Sequence, residues 1–240
     1  LLALLAAAGE KGLSRDKLVA YLWPESDTSH ARHRLSDSLY VLRQALDEDP
    51  VVVAGENIWL NHAAVRVDAV AFQEALERGD REAAVQLYVG PFLDGFHLSG
   101  SQEFEGWLQS ERAHLADLHA KALESLARQA GEAADPARAA DWWRQLLTAD
   151  PYNSRVAVSL MEALAAAGDP ANALQQAFAH ERLLRDELDV EPPSEVRALV
   201  QRLRDEPVPA QRTSVALLPF VNVSADPESE YFSDGITFDI

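Results

Sequence analysis

The chain has 240 residues, enough for one or two domains with their own cores, and 48% of them are hydrophobic, much of that alanine, which favours helix over strand. With no cysteine, it excludes a disulfide scaffold and a thiolate zinc site, and it suits a reducing cytoplasm. The formal net charge of −18 opposes any general affinity for phosphates, but it is uneven: residues 1–66 carry 7 Lys/Arg against 9 Asp/Glu, residues 67–205 carry 13 against 24, and the remainder 1 against 6. Contact with DNA would need a locally basic face, and the near-neutral first segment is where to look for it.

Leu1–Ala8 (LLALLAAA) is too short for the apolar core of a signal peptide and lacks a basic leader. It reads as a chain starting inside a helix, with residue 1 not the native start. No stretch approaches the roughly 20 apolar residues of a membrane span. Gly9 and Gly12 break this helix. Ser14 is a suitable N-cap for Arg15–Trp23, with Asp16 in the first turn and Pro24 closing it. Ser26 or Asp27 then caps a long helix to about Leu46. Val51–Ala54 and Ile58–Asn61 follow as two short strands around Gly55-Glu56-Asn57. Helix, helix, longer helix and β-hairpin is the order of a winged helix-turn-helix over residues 1–66.

At 100° per residue, Ala31, Leu35, Ser38, Leu39, Leu42 and Leu46 of the third helix share an arc and face a core. His33, Asp37, Tyr40 and Gln44 point away from it, Arg32, Ser36 and Arg43 line one flank, and His30 and Arg34 lie on the other. A helix reading the major groove needs such a face: Arg bonds guanine bidentately, and Tyr, Ser or Arg hold phosphates. Asp37 fits only by accepting from a cytosine amino group. Periodicity alone describes the solvated face of an amphipathic helix equally well.

Beyond Asp68, with Phe72 and Ala75-Leu76, a helix ends near Gly79-Asp80 and a second runs from Arg81 to about Tyr88. The string from Ala83 to Glu111, AAVQLYVGPFLDGFHLSGSQEFEGWLQSE, then turns a Gly90-Pro91 corner and restarts before Phe104, Glu105 and Trp107. One amphipathic helix spans Glu103 to Ala130, its buried stripe made of Trp107, Leu108, Leu115, Leu118, Leu123 and Leu126. Asp135-Pro136-Ala137 recurs as Asp169-Pro170-Ala171 after 34 residues, the tetratricopeptide period, and Ser125/Ser159, Leu126/Leu160 and Ala139/Ala173 keep the same spacing. Stacked helix pairs form a superhelix whose concave face suits a peptide or protein ligand. Arg128, Arg138, Arg144 and Arg155 would line such a groove, unless they belong to ordinary solvated helix faces.

The Ala83–Glu111 string, together with Leu160-Met161, the Ala165–Gly168 turn and Leu184-Arg185-Asp186-Glu187-Leu188 before Val190-Glu191-Pro192, resembles the bacterial transcriptional activation domain of SARP-type activators over about Asp68–Leu203. LVAYLWPESD with Ala31, Leu35, Leu39, Leu42-Arg43 and Ala45-Leu46 is similar to the response-regulator-type winged helix that precedes that domain, without the family's N-terminal strands. The resemblance implies that Thr28–Leu46 is a recognition helix and Val51–Asn61 a wing. It implies that His30, Arg32, His33, Arg34, Ser36, Asp37, Tyr40 and Arg43 approach double-stranded DNA at a promoter or operator, and that residues 67–205 contact RNA polymerase or a protein ligand. A homodimer on DNA is compatible with it.

Glu206–Thr213 reads as a Pro-bearing linker. Residues 214–240 resemble the opening of a TolB-like segment, through Ser214-Val215-Ala216, Leu218-Pro219-Phe220, Asp226-Pro227 and Tyr231–Thr237, a truncated α/β stub. No phosphate-binding glycine loop, His-Glu-x-x-His or Gly-x-Ser-x-Gly is present. His30 and His33 are one turn apart, but flanking Arg32 and Arg34 repel a cation. The expected molecule is mainly α, non-enzymatic, cytoplasmic, and free of metal or cofactor. Two other readings remain: a helical-repeat scaffold without DNA binding, or the regulatory arm of a larger signalling enzyme such as a nucleotide cyclase.

Overall fold

In the computed structural model, residues 1–46 and 48–205 are described. The linker and the TolB-like stub lie outside these residues. Leu1–Leu203 form one compact unit. Ten α-helices and one three-stranded antiparallel sheet occur among the described residues, so the fold is mainly α.

The first apolar run is helix α1 (Leu2–Ala8), with Leu4, Leu5 and Ala6 buried, and it ends in a 3-10 turn at Gly9–Lys11. Gly12 follows at φ +60, where a Cβ would come within 2.5 Å of the Ile58 carbonyl oxygen, so only glycine lets the two backbones approach. That approach adds a strand missing from the sequence reading: β1 (Leu13–Ser14) pairs with β3 (Asn57–Leu60), which also pairs with β2 (Val51–Ala54), in the order β1-β3-β2. Leu13 faces Ile58 across one ladder and Val53 faces it across the other. Two residues cannot display a period-2 pattern, which is why β1 gave no signal.

Helix α2 (Arg15–Leu22) starts on Ser14, whose Oγ accepts from Lys17 N at 3.3 Å. Helix α3 (Thr28–Ala45) starts on Asp27, whose carboxylate accepts from Ser29 N and His30 N at 3.1 Å each. Leu46 departs from its expected place in the core. It sits in extended backbone just past the helix and is 40% exposed, because the helical phase that would bury it has already ended.

Helices α4 (Asp68–Glu77) and α5 (Arg81–Leu87) bury Phe72, Ala75, Ala84 and Val85. The corner that follows is clamped from the long helix α6 (Gln102–Glu132). Arg112 donates from Nε to the Phe92 carbonyl at 2.7 Å and from Nη2 to the Leu93 carbonyl, at the point where Leu93 takes φ +51. Glu105 accepts from Leu98 N at 2.7 Å and from His97, and these bonds, the Leu98 one foremost, hold its carboxyl below the usual range. Ser101 caps α6 through Phe104 N and donates its hydroxyl to the Tyr21 carbonyl of α2.

One apolar cluster therefore contains Leu4, Leu5, Leu18, Leu35, Leu39, Ile58 and Leu60 together with Phe104 and Leu108 of α6. Trp107 joins it through rings of Tyr21, Phe92 and Phe104 at 6.1, 6.1 and 5.2 Å. The larger cluster is built by the second half of α6 with α7 (Pro136–Ala149), α8 (Ser154–Ala166), α9 (Pro170–Leu188) and α10 (Ser194–Asp205). Short connections turn α7, α8 and α9 each back onto the helix before it. The 34-residue matches occupy equivalent places. Asp135 and Asp169 each cap a helix that opens with Pro, and Ala139 and Ala173 are both buried. No described helix is long and apolar enough to cross a membrane.

Candidate nucleic-acid interface

Helix α3 is fixed from beneath by Ala31, Leu35 and Leu39, at 0, 0 and 3% exposure, with Leu35 and Leu39 in one apolar cluster with α1, α2 and the sheet. With that stripe buried, the helical period turns His30, Arg32, His33, Arg34, Ser36, Asp37, Tyr40 and Arg43 to solvent, and all eight are exposed. The hydroxyls of Ser36 and Ser38 fold back onto the carbonyls of Arg32 and Arg34, at 3.0 and 2.8 Å.

The charges on this face are not equally available. Arg32 donates from Nε and Nη2 to Oδ1 of Asp16 on α2, at 3.3 and 2.7 Å. Arg43 Nε lies 3.0 Å from both carboxylate oxygens of Asp49, which also accepts from Val51 N. The Val51 bond is the main cause of the lowered Asp49 pKa, with Arg43 adding to it. His33 Nε2 stands 3.6 Å from Asp37, one turn on. Arg34 carries no ion pair among the described residues and is the uncommitted cation of the face. In the sequence Asp16 reads only as a first-turn acid and Asp49 has no arginine partner, because each meets its arginine only through the fold. His30 and His33 belong to no cluster of three metal-ligating side chains, and none exists among the described residues.

The four arginines expected along a repeat groove separate into two groups. Arg128 and Arg155 converge on Glu124: Arg128 bonds it at 2.6 Å, and Arg155 grips both oxygens at 2.8 and 3.0 Å. Glu124 is accordingly held below the usual carboxylate range, first by the Arg155 hydrogen bond. A hollow of about 290 Å³ opens beside Arg128, walled by Gly131, Trp143, Ser159 and Glu162. Arg138 instead reaches Glu82 of α5 at 2.6 Å, and Arg144 pairs with Asp141 on its own helix at 2.6 Å. Arg138 and Arg155 thus knit helices together, and only Arg128 and Arg155 share a location.

Residues 58–204, well over half the chain, match the family model described as "Bacterial transcriptional activator domain", which is not a catalytic family. Among solved structures the chain is similar to Mycobacterium tuberculosis EmbR in complex with a low-affinity phosphopeptide, at 20% identity and a TM-score of 0.52. The alignment covers 99% of this chain and 63% of that one, so the chain spans less than two thirds of its structural neighbour, and at this identity the likeness is one of fold. No curated protein matches the chain.

Proposed function

The chain belongs to the bacterial transcriptional activator domain family, and we propose that it is a DNA-binding transcriptional regulator of the SARP type. In this reading residues 1–66 are a winged helix-turn-helix, with α3 as recognition helix and the β2–β3 hairpin as wing. Residues 67–205 are a tetratricopeptide-like activation domain that contacts polymerase or a protein partner, and two copies can occupy adjacent sites on DNA. The observation that carries the reading is the exposed face of α3: three arginines on a helix anchored by a buried stripe, next to a domain of an activator family.

Electrostatics sets the terms. An acidic body repels phosphates, so affinity must come from α3 and fall steeply with salt. Titrating the full chain against its own upstream DNA across a salt series tests this. Arg34→Ala should weaken binding by about 1–3 kcal/mol if the side chain reaches a base, or reduce the salt slope by about one if it neutralises a phosphate. Unchanged affinity for Arg34→Ala and for Arg32→Ala alike would remove α3 from the interface.

The ion pairs of Arg32 and Arg43 and the net charge of −18 favour one competing reading, a protein-docking scaffold. Absence of any DNA affinity, with protein partners still captured by the full chain, would select it.

A further inference from the structure

We propose that Asp16 is a positioning residue for sequence reading: it braces Arg32 so that the terminal Nη1–Nη2 edge of the guanidinium points outward, ready to grip a guanine. The proposal rests on the DNA-binding reading above and adds a residue to it from outside the recognition helix.

The geometry of the pair carries the inference. Guanidinium has two edges able to donate two parallel N–H bonds, the Nε–Nη2 side and the Nη1–Nη2 end. Asp16 Oδ1 occupies the side edge, bonding Nε at 3.3 Å and Nη2 at 2.7 Å. Nη1 makes no hydrogen bond among the described residues, with Glu56 adding only a charge attraction to the guanidinium, and the spacing of the end edge matches the O6 and N7 acceptors of guanine in the major groove. Both partners stand on rigid supports. Asp16 is the second residue of α2, whose start is fixed by the Ser14 cap and whose body is fixed by fully buried Leu18. Arg32 follows Ala31, also fully buried, near the start of α3, the end of a recognition helix that meets base edges.

Asp49 makes a useful contrast. Its carboxylate bonds Val51 N as well as Arg43, so it shapes the turn into β2. Asp16 has no side-chain partner other than Arg32 among the described residues, so its carboxylate has no comparable backbone duty. An exposed ion pair of this kind, at 48 and 70% side-chain exposure, contributes little to stability. Its value lies in fixing a long side chain that would otherwise lose rotamer freedom on binding.

The test uses the full chain. A duplex is selected by the wild-type protein from a random pool, and affinities for it and for a composition-matched scrambled duplex are read by fluorescence anisotropy. Asp16→Asn should lose about five- to tenfold on the selected duplex while holding or gaining on the scrambled one, since a repelling charge has gone but a bidentate contact has loosened. Asp16→Glu should restore most of the preference, and Asp16→Asn should leave the preference between the two duplexes unchanged in an Arg32→Ala background. Equal strengthening on both duplexes would overturn the proposal by making Asp16 merely a repelling charge. Equal weakening of both by Arg32→Ala would overturn it by making Arg32 a phosphate contact. A wild-type protein that prefers neither duplex defeats the DNA-reading premise itself, and that failure is visible before any variant is made.

Discussion

His180 is 4% exposed within α9, with Nε2 2.9 Å from Ser154 Oγ and Nδ1 without a partner among the described residues. Burial lowers its pKa below the ordinary 6.5, against weaker opposing pulls from the Pro151 carbonyl and the Glu181 charge. The sign follows from linkage: the unfolded chain takes up a proton below pH 6.5 that the folded ring still refuses, so stability is full above that pH and declines as pH falls. One such group contributes a slope of up to about 1.4 kcal/mol per pH unit until the folded ring itself protonates. Urea unfolding at pH 7.5 and 5.5 should show a smaller acid loss for His180→Leu than for wild type. An identical loss in both would assign the acid sensitivity to the carboxylates alone. Nothing in the sequence marked this residue, since a histidine on an amphipathic helix has no periodic signature of its own.

At the scale of elements, the readable signals were those whose physics is local. Ser14, Asp27, Asp80, Ser101, Asp135, Asn153 and Asp169 each accept a backbone N–H at the start of a helix, so most helix beginnings are stated within a few residues of sequence. Asp135→Ala and Asp169→Ala should each cost about 1 kcal/mol, because they remove equivalent caps from two helices whose starts lie 34 residues apart in sequence. Chemical denaturation of the two variants checks this. A loss in one and none in the other would show that the 34-residue spacing marks sequence likeness without equal mechanical duty. Helix ends were less legible, as Leu46 shows. A side chain that continues the apolar phase is buried only if the backbone continues with it.

Across the whole molecule, α6 reaches the two largest cores, while Leu115 midway along it joins a third with Phe72, Ala75 and Ala84. Its first turns carry Phe104 and Leu108 into the cluster of α1, α2, α3 and the sheet, and its second half carries Leu123, Leu126 and Ala127 into the repeat cluster. A rigid helix sharing two cores ties the support of α3 to the activation domain. Leu108, fully buried, makes the check: Leu108→Ala should cost about 2–5 kcal/mol. The loss should appear in one transition, seen together by far-ultraviolet circular dichroism and by tryptophan fluorescence, which includes Trp59 in the sheet and Trp143 in the repeats. Two separate transitions would mean that the cores open independently.

The sequence by itself determined the helical character, the order of the elements, the repeat spacing and the set of side chains that α3 turns to solvent. Each of these follows from propensity, capping or a period of a few residues. Only the tertiary structure decided which outward charges are committed. Arg32 meets Asp16 across 16 positions, Arg138 meets Glu82 across 56, and Arg155 meets Glu124 across 31. Strand β1 likewise exists only because Gly12 lets two distant backbones close. Ion pairs and ladder bonds reach a few ångströms in space, however many residues separate the partners along the chain, and a linear pattern carries no measure of that distance.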